Sequence, residues 1–118
     1  VKEQPTMPTR VEEYDHIAVL APTGELHGDE VIELRKKVDE LIDQRQIVDM
    51  VLDLDACPFV DSEALETLLW IQRRCEDLFG HAKLANLDEN VKKILEMTRL
   101  EPRFDCCDDL AAALKTMR

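Results

Sequence analysis

The 118 residues suffice for one ordinary domain and not for two. With 45% apolar and only 4% aromatic residues, the chain is expected to bury one aliphatic core and to lack the rings that stack on nucleobases. A net charge of −11 with no local basic patch repels phosphate backbones and anionic bilayers, so neither nucleic acid nor a membrane surface is expected as a partner.

Residues 1–10, with Pro5 and Pro8 and no apolar period, read as a flexible N-terminal tail, and residues 11–118 as a single domain. Opening on Val1 rather than Met is consistent with processing or with excision from a longer chain. Val11 to Tyr14 and Ile17 to Ala21 are expected to form two short strands about an Asp15-His16 turn. From Asp29, the expected N-cap, the spacing of Val31, Leu34, Val38, Leu41 and Ile42 marks one face of a helix. Ile47 to Leu54 is nearly all apolar, as in a strand covered on both faces of a largely parallel sheet. A connection from Asp55 to Val60 leads to a second helix opened by Asp61 and Ser62. Its inner face is expected to hold Leu65, Leu68, Leu69, Gln72, Cys75 and Leu78, with Gly80 as a left-handed stop. His81 to Leu87 reads as a strand, and Asp88 caps a third helix with Val91, Ile94, Leu95 and Thr98 on one side. Pro102 breaks the pattern, Phe104 to Cys107 forms a last short strand, and Asp108 to Met117 a closing helix with Leu110, Ala113, Leu114 and Met117 inward. Strands alternating with helices make an α/β layer fold.

Signatures of catalysis are missing. Ser62 lies in Val60-Asp61-Ser62-Glu63-Ala64 and not in a Gly-x-Ser-x-Gly elbow, and the three glycines (Gly24, Gly28, Gly80) supply no phosphate-binding loop. Cys57, Cys75, Cys106 and Cys107 lack metal-ligand spacing, and His16, His27 and His81 are scattered. The thiols read as core packing in a reducing, cytoplasmic setting, although the neighbours Cys106 and Cys107 also allow a vicinal disulfide. His27 and His81 read as surface or packing residues. Asp53, Asp55 and Asp61 gather at the carboxyl end of the central strand like the acidic pocket of a phosphoacceptor receiver domain, but the paired acidic turn and the lysine of that pocket are absent. No apolar run reaches the roughly 18 residues of a spanning helix and no signal peptide opens the chain, so a soluble protein without membrane insertion is expected. Asp61-Ser62 supports two readings: helix capping, and a switch site at a helix N-terminus where added negative charge is well tolerated.

The order of elements and three strings resemble a STAS domain, the fold of bacterial anti-sigma factor antagonists. The strings are Thr23-Gly24-Glu25-Leu26 leading into Val31-x-x-Leu34-Arg35, then Ile47 to Leu54, then Phe59-Val60-Asp61-Ser62. The resemblance implies a mixed, mostly parallel sheet covered by helices on one side, and a partner-switching role without catalysis or cofactor. In that family the antagonist docks on an ATP-binding anti-sigma factor that is also a serine kinase, and phosphorylation at the second serine of an Asp-Ser-Ser-Gly loop breaks the dock. The same positions here are Asp61-Ser62-Glu63-Ala64, so Glu63 occupies the acceptor position and Ser62 is the remaining candidate phosphosite. Glu63 either mimics the modified state in part or simply complements the helix dipole. His27 stands where the family often has Asp after Gly-Glu-Leu.

The expected function is therefore a non-catalytic signalling module, a monomer or weak dimer. Its partner surface is expected to comprise Asp61, Ser62, Glu63, Ala64, Leu65, Glu25, His27 and Gly28. Two alternatives stay open: a STAS domain that senses a nucleotide or lipid at the same end of the sheet, and an accessory subunit of a transporter.

Overall fold

In the computed structural model, which describes residues 9–117, the chain runs β1 (Arg10–Tyr14), β2 (Ile17–Ala21), α1 (Asp29–Arg45), β3 (Asp49–Asp53), α2 (Ser62–Asp77), β4 (Ala82–Ala85), α3 (Glu89–Met97), a 3-10 turn (Glu101–Arg103), β5 (Cys106–Cys107) and α4 (Leu110–Met117). The strands lie side by side in chain order in one sheet, β1 antiparallel to β2 and every other pair parallel. Successive side chains of a strand point to opposite faces, and both faces are apolar here. Ala18, Leu20, Met50, Leu52 and Leu84 join the main core beneath α1, α2 and α3. Ile17, Val19, Val51 and Ala85 meet Ala113 and Met117 of α4. The expected layer of helices on one side thus describes α1 to α3, while the short α4 seals the other face.

The hairpin forms about Asp15 and His16 as expected, with Asp15 at φ 59. Residues 1–8 of the expected tail lie outside the described residues. Its last two members do not behave as a tail, because Thr9 is buried and Arg10 pairs with Ala21. The N-cap of α1 is Gly28, not Asp29: Gly28 takes φ 57 and ψ −125, which a side chain resists, and Asp29 enters the first turn. The inner face of α2 is rotated from the one expected, with Ala64, Leu65, Thr67, Leu68, Ile71 and Cys75 buried and Leu78 outside.

Gly80 is not the left-handed stop of α2. Phe79 holds that conformation at φ 65, and Gly80 is there because a Cβ would collide with the Val48 backbone carbonyl where the chain enters β4. Gly80→Ala is therefore expected to cost about 1–3 kcal/mol through overpacking against rigid backbone. A urea unfolding midpoint lowered at unchanged m-value is the expected reading.

Candidate functional site

Two loops at the carboxyl end of the parallel strands are joined backbone to backbone. In residues 22–28 the Gly24 N–H donates to the Ala56 carbonyl (2.8 Å) and the Leu26 N–H to the Phe59 carbonyl (3.0 Å). Leu26 and Val60 form an isolated parallel bridge. The attachment is fixed from below, since Leu26, Cys57 and Val60 are buried in the core. Gly24, at φ 80, supplies the left-handed backbone that brings the first loop alongside the second. The two segments singled out from sequence as partner-facing are thus brought together as one surface.

Asp61 is the cap of α2, its Oδ1 accepting the Ala64 N–H at 2.8 Å. Capping by Asp61 leaves the Ser62 side chain exposed at the first helical position, with Glu63 exposed beside it. Ala64 and Leu65, counted among the surface residues from sequence, instead point into the core. Glu25 and His27 are exposed and face each other, with 3.6 Å between Nε2 and Oε1. Sequence reasoning did not assign Phe59 to the contact set, yet it is 42% exposed between the strand end and the cap. Its signals were an aromatic after Pro58, outside any helical or strand period, and its place at the head of the Phe59-Val60-Asp61-Ser62 string.

Charge is segregated to this end. The loops and first helical turns at residues 22–30, 54–66, 86–91 and 108–112 carry Glu25, Asp29, Glu30, Asp55, Asp61, Glu63, Glu66, Asp88, Glu89, Asp108 and Asp109 and not one Lys or Arg. These carboxylates equal the whole net charge of −11, and the remainder of the chain is balanced. All four helices start here, and their N-terminal dipoles make such a concentration tolerable. Lys92, the fourth residue of α3, is a cation at this end: it reaches Glu89 at 3.5 Å and lines a cleft with Asp108.

The three aspartates that suggested an acidic pocket have separate tasks. Asp53 Oδ1 accepts from the Asp55 N–H (3.1 Å) and from Asn86 Nδ2 (3.2 Å), Asp55 is exposed, and Asp61 caps α2. Among the described residues no three His, Cys, Asp or Glu side chains converge to hold a metal ion. Cys106 and Cys107 follow each other along β5, and strand geometry sends their side chains to opposite faces, against a vicinal disulfide. Burial raises the Cys57 thiol above its usual range and pushes that of Cys75 up to about 12.

Below Glu63 the seam between α1 and α2 is built, Arg35 apart, from residues without a sequence signature. Arg35 Nε donates to the buried Thr67 hydroxyl (2.9 Å), and Trp70 lies near two guanidiniums, Arg35 at 5.1 Å and Arg74 at 6.0 Å from its ring centroid. Arg74 also pairs with Asp39 (3.1 Å) and Asp43 (3.5 Å) of α1. This seam holds the helix that carries Ser62 and Glu63 in fixed register against α1.

The STAS domain family model matches residues 9–113. The chain belongs to the STAS domain family. Solved structures agree on the fold. A Thermotoga maritima protein assigned as an anti-sigma factor antagonist superposes with a TM-score of 0.86 at 21% identity, over 93% of this chain and 94% of that one. The phosphorylated form of SpoIIAA from Bacillus gives 0.73 at 22% identity, over 93% and 99%. A serine-to-glutamate form of RsbS from Moorella thermoacetica gives 0.79 at 22% identity, over 92% and 93%. No described helix of this STAS domain is long and apolar enough to cross a membrane.

Removing the cap with Asp61→Ala should lower stability by about 1 kcal/mol and fray the first turn of α2, whereas Asp61→Asn should lose less. Thermal denaturation with amide exchange at Ala64 reads both. A thiol reagent at neutral pH should label Cys106 and Cys107 and reach Cys57 and Cys75 only in denaturant. Above the usual thiol value of 9.0 the unfolded chain loses a proton that folded Cys75 keeps until about 12. Its contribution to stability is therefore intact below pH 9 and declines at up to ~1.4 kcal/mol per pH unit above it.

Proposed function

We propose that this STAS domain is a non-catalytic signalling module that docks on a protein partner through its acidic end. The partner is an ATP-binding anti-sigma factor of the serine-kinase type or a related regulator. The observation that carries this reading is the backbone bonding of the Gly24–Leu26 segment to the Ala56–Phe59 segment. It supports reading Glu25, His27, Phe59, Ser62 and Glu63, all exposed, as parts of one rigid surface. Rigid loops bind without the ordering cost that a mobile surface incurs.

The surface chemistry names the complement. An exposed aromatic set among carboxylates, with no cation in the same loops, fits a partner with an apolar recess flanked by Arg or Lys. Glu63 then acts as a permanent charge at the position where the family accepts phosphate. It carries one charge where phosphoserine carries about 1.5 to 2. That a serine-to-glutamate RsbS keeps this fold supports a carboxylate as a tolerated replacement in a STAS protein. Ser62 is the hydroxyl left in the turn, and any phosphate added by a cognate kinase would fall there.

A ligand-sensing role finds less support. The cleft of about 280 Å³ between α3 and β5 is lined by Leu87, Lys92, Glu101, Cys106, Cys107 and Asp108. Half of these are charged, and ligand sites are usually larger and mostly apolar.

The test is calorimetric titration of each purified ATP-binding anti-sigma factor of the source organism into the wild type, Glu63→Lys, Phe59→Ala and, as a control at the far end, Glu96→Ala. One of them should bind, with affinity falling as salt rises. Glu63→Lys and Phe59→Ala should each weaken it at least about tenfold and Glu96→Ala should leave it unchanged. Absence of binding to all of them, or binding indifferent to both site substitutions, would overturn the proposal.

A further inference from the structure

The opposite end of the sheet leaves large apolar side chains uncovered. Phe79, just after α2, is 95% exposed, Leu78 beside it 43%, and Met97, the last residue of α3, 82%. Both helices run back from the acidic end, so their C-termini lie at the same end of the sheet. Gln72 of α2 donates to the Arg103 carbonyl just beyond α3 (2.8 Å), tying the two regions to each other. The Phe79 backbone is held in place. Its N–H donates to the Glu76 carbonyl (3.0 Å) and the Gly80 N–H to the Cys75 carbonyl (2.8 Å), which holds Phe79 in a left-handed conformation that L side chains avoid.

The charges around these side chains differ in kind from those of the other end. Residues 73–81 carry Arg73 and Arg74 against Glu76 and Asp77, with Asp49 accepting the His81 N–H and with Asp39 and Asp43 pairing Arg74, and residues 93–103 carry Lys93, Arg99 and Arg103 against Glu96 and Glu101. We propose that this end is a contact between two copies of the chain related by a two-fold axis. Such an axis sets a patch against itself, so the patch must be self-complementary, and exposed apolar side chains among charges of both signs meet that condition. Two copies approaching by their acidic ends bring like charges together, and a partner of one strong charge finds no complement around Phe79. With so few apolar side chains the contact is small, and dissociation on the order of 100 µM is expected. The two acidic ends then face away from each other, so the dimer presents two docking surfaces to a clustered partner and gains avidity.

Sedimentation velocity from about 10 µM to about 1 mM tests this on the isolated chain. The wild type should shift from 13.6 kDa towards twice that mass. Phe79→Asn suits the left-handed backbone while removing the ring, and should weaken association at least about tenfold. Concentration-dependent amide shifts should fall at residues 76–81 and 95–103. A wild type that stays at 13.6 kDa throughout, a Phe79→Asn that associates equally well, or shifts confined to residues 22–28 and 54–64 would overturn it. No docking partner enters the test, so its failure leaves the reading of the acidic end untouched.

Discussion

The bridge between Leu26 and Val60 is the constraint on which the candidate site depends. Each of these residues is buried to about 1% exposure, so the core itself holds the two loops at a fixed separation. Burying two such side chains is worth several times the strength of any surface ion pair in the same loops. The polar residues between them have no freedom to retreat. Exposure of Ser62, Glu63 and Phe59 is therefore a consequence of packing, and the surface they form is built by the fold itself.

Electrostatics follows from the same topology. Parallel strands return by helices that all begin at one end, and four helix N-termini there make carboxylates tolerable that would repel one another elsewhere. Helix capping and the proposed partner recognition are not competing explanations for this acidic end. Asp61 illustrates the division of labour, since its carboxylate is occupied by the Ala64 N–H while the next two side chains remain free of the capping task. The seam of Arg35, Thr67, Trp70 and Arg74 keeps α2 from rotating, so the direction in which Glu63 points is fixed by side chains up to three turns away.

Elements with a strong period were legible in the sequence. The Ile47 to Leu54 run gave a central strand, although only Asp49–Asp53 pairs as one, and the Val31 to Ile42 spacing gave the buried face of α1 without error. What failed depends on atoms distant in sequence. Gly80 looked like a helix stop because the Val48 carbonyl that forbids a side chain there is 32 residues away and carries no pattern. The inner face of α2 was misplaced because Thr67 is polar and Trp70 amphipathic, and both are used across the α1 seam in ways that composition does not signal. Ala64 and Leu65 were placed on the contact surface because their neighbours Ser62 and Glu63 are exposed, and a helix turns its face within two residues. The side of the sheet taken by α4 was beyond reach, since a short helix that follows a two-residue strand packs equally well on either face by its own pattern.

Hydrogen exchange of the domain bound to the anti-sigma factor proposed as its partner reads the central claim most directly, because it locates the interface without presupposing any residue. The account predicts slowed amide exchange in residues 22–28 and 56–64, and unchanged exchange along the exposed face of α4. Protection confined to α4 or to the hairpin of β1 and β2, with the two acidic loops exchanging as in the free protein, would contradict it.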